Sequence, residues 1–187
     1  MEKHSTQRSW DIHFMREAKL WAARSKCLSR KIGAVLVKGT HVIATGYNGP
    51  PSGVPHCDCR DDTGRYVGEG IILATADGKR VDTCPRKRMG FKSGEGMEHC
   101  VAVHAEINPI MQAAKMGIST VGTTLYCYCG TPCHNCAKEI IQAGIKRVVC
   151  TFLQKEMKGY NFPLSVQLFN AAGVQLSVIT EEEVDNG

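Results

Sequence analysis

Two short motifs constrain this chain more than anything else in it: His104-Ala105-Glu106 and, further along, Pro132-Cys133-His134-Asn135-Cys136. They supply one imidazole, two thiolates and a carboxylate. One imidazole and two thiolates suit a tetrahedral zinc ion whose fourth position stays open to water. The carboxylate two residues past the imidazole lies to one side of it, placed to move protons rather than to ligate. The flanking residues predict how the motifs are presented. Ile107, Ile110, Met111 and Ala114 form an apolar helical stripe that Gly117 ends, with Pro109 in the first turn, where it costs least. His104 is therefore expected at or near a helix N-terminus. Pro132 opens a second helix, Cys133 and Cys136 share a face three residues apart, and Gly144 ends it. Two helix N-termini converging on one site favour thiolates, the form that binds zinc.

The remaining periodicities outline a sheet. Trp10, Phe14, Met15, Ala18 and Trp21 or Ala22 predict a helix over 10–25. Ile32–Val37 and His41–Tyr47 read as a hairpin about the turn Lys38-Gly39-Thr40. Thr123–Tyr128 and Lys146–Thr151 read as strands, Pro163–Ala172 as a helix stopped by Gly173, and Val174–Ile179 as a last strand. Helices interleaved with five strands predict an α/β chain with a mixed sheet between helical layers. The chain is read as one zinc-dependent domain over 1–187, with a long insert at about 57–100. Glu181-Glu182-Glu183 reads as a solvated end.

Composition excludes several classes. No apolar run approaches the ~20 residues of a membrane span, and no hydrophobic signal segment follows the start, so the expectation is a cytoplasmic protein without membrane contact. Ten cysteines then fit a reducing compartment better than a disulfide framework. Cys127, Cys129 and Cys150 lie in or beside strands and read as packing. The formal charge of +5 suits an anionic small ligand. No basic tail with interleaved aromatics marks a polynucleotide surface.

Four blocks carry a resemblance: Ser25-Lys26-Cys27 with Ile32-Gly33-Ala34-Val35; Gly46-Tyr47-Asn48-Gly49-Pro50-Pro51-Ser52-Gly53; His104 to Asn108; and Pro132-Cys136 running into Ile140-Ile145. The chain resembles the cytidine deaminase superfamily, where H-x-E…P-C-x-x-C is the zinc signature. The GYNGPPSG block points within it to the deoxycytidylate (dCMP) deaminases. That resemblance implies a three-layer α/β/α fold and hydrolytic deamination of dCMP to dUMP, the precursor for thymidylate synthesis. It implies a catalytic Zn²⁺ on His104, Cys133 and Cys136, with Glu106 as proton shuttle. Asn48 would hydrogen-bond the substrate. Ser25, Lys26 and Arg30 are candidates for its phosphate, and Tyr160 for stacking on the pyrimidine or for packing. Gly46, Tyr47, Asn48, Gly49, Pro51 and Gly53 would form an allosteric site, with dCTP activating, dTTP inhibiting and Mg²⁺ on the triphosphate. A homo-oligomer, commonly a hexamer, is implied as well.

The insert leaves two readings open. Cys57, Cys84, His99 and Cys100, with Cys59, His56 and Cys27 nearby, offer ligands for a second, structural zinc, although their spacing names no set of four. The basic stretch Arg80…Arg86-Lys87-Arg88…Lys92 is either a solvated loop or a contact for an effector triphosphate or a neighbouring subunit's ligand.

Overall fold

The computed structural model describes residues 6–57, 83–153 and 160–186; Cys59 and Arg80 lie outside them. The chain runs α1 (Thr6–Ala22), β1 (Gly33–Lys38), β2 (His41–Tyr47), α2 (Pro85–Arg88), a short 3₁₀ turn at Met97–His99, α3 (Asn108–Lys115), β3 (Thr124–Gly130), α4 (His134–Gln142), β4 (Arg147–Phe152), α5 (Phe162–Ala171), β5 (Gln175–Val178) and α6 (Glu181–Asn186).

The five strands form one mixed sheet in the order β2-β1-β3-β4-β5. β1 pairs antiparallel with β2 and β3, and β3, β4 and β5 are parallel. Alternation along the strands feeds two apolar layers. Val35, Val37, Tyr126 and Val149 pack with Ile12, Phe14, Met15 and Ala18 of α1 and Val184 of α6. Ala34, Leu36, Leu125 and Val148 pack on the other face with Ile110, Ile140 and Phe169 of α3, α4 and α5. This is the three-layer α/β/α arrangement expected. No helix among the described residues is long and apolar enough to cross a membrane.

Close contacts set the spacing of the layers. A Cβ on Gly33 would lie 2.1 Å from the Ala18 carbonyl oxygen, so only glycine lets α1 rest on the start of β1. A Cβ on Gly46 would lie 2.5 Å from Pro109 Cδ and 2.8 Å from Asn108 Cβ. Gly46→Ala is therefore expected to push α3 off β2 and cost about 1–3 kcal/mol, read as a lower denaturant midpoint at unchanged slope.

Two helices depart from the sequence reading. α1 spans 6–22 rather than 10–25; its last predicted turn is instead an irregular segment that holds Ser25. The acidic end leaves Glu181 and Glu182 exposed as expected, but it is a short helix in which Glu183 is engaged. Thr180 and Glu183 form a reciprocal capping box, with Thr180 N–H donating to Glu183 at 2.9 Å and Glu183 N–H to Thr180 Oγ1 at 3.3 Å. The helix that follows is pinned to α1 by ion pairs of Arg8 with Glu183 and Lys19 with Asp185. Arg16 also donates to the Val184 carbonyl at 2.7 Å.

Candidate metal centre and its cavity

Both motifs lie at the same end of the sheet. Cys133 is the N-cap of α4, with Cys136 one turn in. The left-handed Gly144 (φ 75°) ends that helix as predicted. His104 sits slightly further from its helix than expected. α3 begins at Asn108, but the His104 carbonyl already accepts from the Ile107 and Asn108 amides at 3.1 and 3.2 Å. The chain is thus coiled one turn before the regular helix. Pro109 falls in the first turn, where no hydrogen-bonded N–H is needed.

His104 Nδ1 lies 3.2 Å from Cys136 Sγ and 3.6 Å from Cys133 Sγ, and the two sulfurs are 3.5 Å apart. Tetrahedral zinc at ordinary bond lengths separates such ligands by about 3.5–3.8 Å, so the triangle need open by only a few tenths of an ångström to hold that ion. The electrostatics agree. Hydrogen bonding with Cys133, against burial, raises His104 to about 9. Hydrogen bonding with Cys136 brings Cys133 down to about 4 in spite of burial, with His104 helping. Hydrogen bonding with Cys133 and then burial push Cys136 up. Protons hold the cluster together where a divalent cation would replace them.

Glu106 is buried beside this triangle, and its Oε2 has no hydrogen-bond partner. Burial raises its carboxyl above the ordinary value, with the His104 charge pulling the other way. A second group of donor atoms, Glu106 with Cys127 and Cys129, also falls within 4.8 Å. Burial pushes the Cys127 thiol well up, which keeps it protonated and apolar. Cys127 and Cys150 pack in the core as expected, and Cys129 packs against it while also lining the cavity. A register irregularity between Cys127 and Gly130 accompanies the 3.0 Å approach of the Cys127 and Cys129 sulfurs.

A cavity open to solvent lies above Glu106. Of the predicted substrate contacts, Asn48, Arg30 and Tyr160 line it and Ser25 and Lys26 do not. Ser25 is buried and donates to the Asn48 carbonyl at 2.8 Å. The Asn48 side chain accepts from Ile32 N–H and donates to the Arg30 carbonyl, both at 2.9 Å. Its amide thus shapes the cavity wall. Tyr160 lies over His104 at 6.4 Å and stacks on Phe162 at 5.5 Å, so it both packs and presents a ring. The next residue, Asn161, takes a left-handed conformation (φ 41°) and caps α5 through Leu164 N–H.

The glycine-rich block divides in two. Gly46 to Gly49 is built into the framework: Asn108 donates to the Tyr47 carbonyl at 2.6 Å, and Gly49 bridges to Val103. Pro51 and Gly53 are exposed, Gly53 with φ 84°. Among the described residues, Cys57, Cys84, His99 and Cys100 belong to neither metal-ligating group. The four do not converge, and the His99 ring stacks on Phe91 instead. Sequence reasoning missed Arg86 as a cavity residue. It is buried and lines the same space as Glu106, and only the basic stretch around it drew notice.

The family model of the cytidine and deoxycytidylate deaminase zinc-binding region matches residues 8–152. The chain belongs to this family. It is 38% identical to the deoxycytidylate deaminase of Schizosaccharomyces pombe over 170 residues, covering 90% of this chain and 43% of that protein. It is 33% identical to the deoxycytidylate deaminase of Enterobacteria phage T4 over 186 residues, covering 90% and 93%. The chain thus spans less than half of the yeast relative and nearly all of the phage one. The crystal structure of the dCMP deaminase of cyanophage S-TIM5 in complex with dCMP and dUMP is similar at TM-score 0.62 and 25% identity, covering 95% of this chain and 100% of that one. The zinc-binding region common to this deaminase family includes His104, and its match ends beyond Cys136.

Proposed function

We propose that this protein is a zinc-dependent dCMP deaminase, producing dUMP and ammonia and so supplying thymidylate synthesis. One observation carries the reading. A triangle of His104, Cys133 and Cys136 suited to zinc stands beside the buried carboxylate of Glu106, whose Oε2 has no partner, at the floor of a cavity. The deoxycytidylate deaminases among its relatives support the choice of substrate.

A zinc ion on the three ligands would supply a water acidic enough to attack at neutral pH. Glu106 accepts the proton of that water and passes it to N3 of the pyrimidine as the C4–O bond forms. It then takes the remaining proton from the hydroxyl now on C4 and delivers it to the exocyclic amine, which leaves as ammonia as the C4–N bond breaks and the C4 carbonyl forms. Burial serves the donating step, because it raises the carboxyl above its ordinary value and so makes the protonated form less costly than on an exposed side chain. Tyr160 covers the ring, and the Asn48 clamp holds the wall that the sugar faces.

The finer parts of the reading rest on the family resemblance. dCTP activates and dTTP inhibits, with Mg²⁺ on the triphosphate, at the exposed turn Pro51–Gly53, where glycine lets backbone amides approach phosphate. The protein works as a homo-oligomer, a hexamer by the same resemblance. It works in the cytoplasm, in keeping with the absence of a disulfide among the described cysteines. A second zinc on the insert would need Cys57, Cys84, His99 and Cys100 to draw together, and a metal count of two per chain would show that they do.

Ammonia release from dCMP by zinc-loaded protein, with and without dCTP and Mg²⁺, is the test. Turnover that rises with dCTP is expected. Turnover indifferent to dCTP would remove the regulation, and no turnover in either condition would overturn the enzyme assignment.

A further inference from the structure

The cavity over Glu106 has one buried cation that the proposed chemistry leaves without a task. Arg86, on the short α2, is 8% exposed. Its Nη1 donates to the Glu95 carbonyl at 2.5 Å. Its Nε is fully buried and has no partner, and no carboxylate among the described residues forms an ion pair with it. Burying a guanidinium is costly unless an anion meets it. Anchoring Nη1 to a backbone carbonyl fixes the plane of the fork, whose Nε still lacks an acceptor, and such a fork suits a planar or phosphate-like group.

The surroundings say where that acceptor belongs. Among the described residues lining the cavity, Arg30 and Arg86 carry the only lysine or arginine charges, and Glu106 carries the only carboxylate. Burial raises the Tyr160 hydroxyl, while the charges of Arg86 and Arg30 oppose the rise. Both guanidiniums therefore stand near the same phenol that roofs the cavity. Ser29 and Ser93 line the cavity as well. Arg30 and Arg86 thus bring two positive charges to the cavity that also holds Glu106.

Resting on the dCMP deaminase reading, the geometry points to Arg86 as the residue that selects a 5′-monophosphate over a bare nucleoside, with Arg30 assisting from the solvent side. The phosphate dianion is the partner that the buried fork lacks. Arg86 makes this contact at a distance from the bond being broken. Its loss acts on substrate choice and leaves the proton transfers of Glu106 in place.

The test compares unaltered and Arg86→Gln protein, both zinc-loaded, on dCMP and on deoxycytidine. Loss of hydrogen bonds to a charged group is expected to lower kcat/KM for dCMP by about 10- to 100-fold. The fall appears mainly in KM, and deoxycytidine turnover changes less than about twofold. Inhibition of dCMP turnover by 2-deoxyribose 5-phosphate weakens in step. Equal losses on both substrates, or an unchanged preference with an altered dCTP response, would overturn the assignment. Arg86→Lys serves if the glutamine variant fails to fold. It keeps the charge without the fork, and full retention of the phosphate preference would count against bidentate recognition by Arg86. Arg88→Gln, on the exposed side of the same helix, should behave as the unaltered protein. If unaltered protein fails to turn over dCMP, the parent reading falls and takes this one with it.

Discussion

Glu106→Gln is expected to reduce dCMP turnover by about 10³-fold or more, at the upper end of what general acid–base catalysis contributes, while the protein keeps its zinc. The substitution preserves shape and removes the ability to accept a proton. Glu106 stands outside the His104–Cys133–Cys136 triangle, so metal content should not depend on it. Its Oε2 is unpartnered, so the amide breaks no existing hydrogen bond at that atom and the fold should be undisturbed. Parallel assays of ammonia release, zinc per chain and thermal midpoint separate the outcomes. Activity within tenfold of the unaltered protein would remove Glu106 from the proton path. Loss of zinc together with activity would make it a part of the metal site.

Arg147→Met is expected to destabilise the fold by about 3–5 kcal/mol, the usual cost of stranding one member of a buried ion pair. Arg147 donates through Nη1 and Nη2 to the two carboxylate oxygens of Asp11, at 2.6 and 2.7 Å. Tyr126 and Gln7 donate to the same carboxylate at 2.8 and 2.9 Å. The group ties α1 to β3 and β4 across one layer boundary, and Asp11 is only 2% exposed. Burial would raise its carboxyl, but the hydrogen bonds from Arg147, Tyr126 and Gln7 outweigh that and hold it below the ordinary value. A depressed carboxyl contributes stability above its unfolded value, and loses that contribution as pH falls through the folded one. The difference between unaltered and Arg147→Met protein should therefore be largest at neutral pH and narrow in acid. The double variant Asp11→Leu/Arg147→Met should recover much of the loss, since removing both charges strands neither. Denaturant unfolding at neutral and acid pH reads all of this. A double variant no more stable than the single one would show that the pair holds the layers in register by more than satisfying its own charges.

Most of the framework was legible because it is written locally. The hairpin about Gly39, the stops at Gly144 and Gly173 and the helical spacing of Cys133 and Cys136 each need only a few neighbouring residues to specify them. The capping box Thr180-x-x-Glu183 was equally local, but three consecutive acids masked it as a charge run. Ser25 looked like a phosphate contact because it precedes basic residues. Its hydroxyl is instead engaged with the Asn48 carbonyl, a pairing across the fold that no short window contains. Arg86 was hidden for the same reason. Nothing in the run Cys84-Pro85-Arg86 has a period, and only the folded arrangement brings it to the cavity that also holds Glu106.

Downstream of α2, which carries Arg86, the chain pairs with the segment after β2 at the Gly49–Val103 bridge, whose two amides donate across at 2.8 and 3.3 Å. Just beyond that bridge the chain enters the turn that presents His104. Selectivity and reactivity are thus housed in adjoining stretches with different obligations. The stretch before Val103 owes the sheet little. Substitutions between residues 83 and 102 should therefore alter what the cavity admits without loosening the strands, while the stretch after Val103 carries His104.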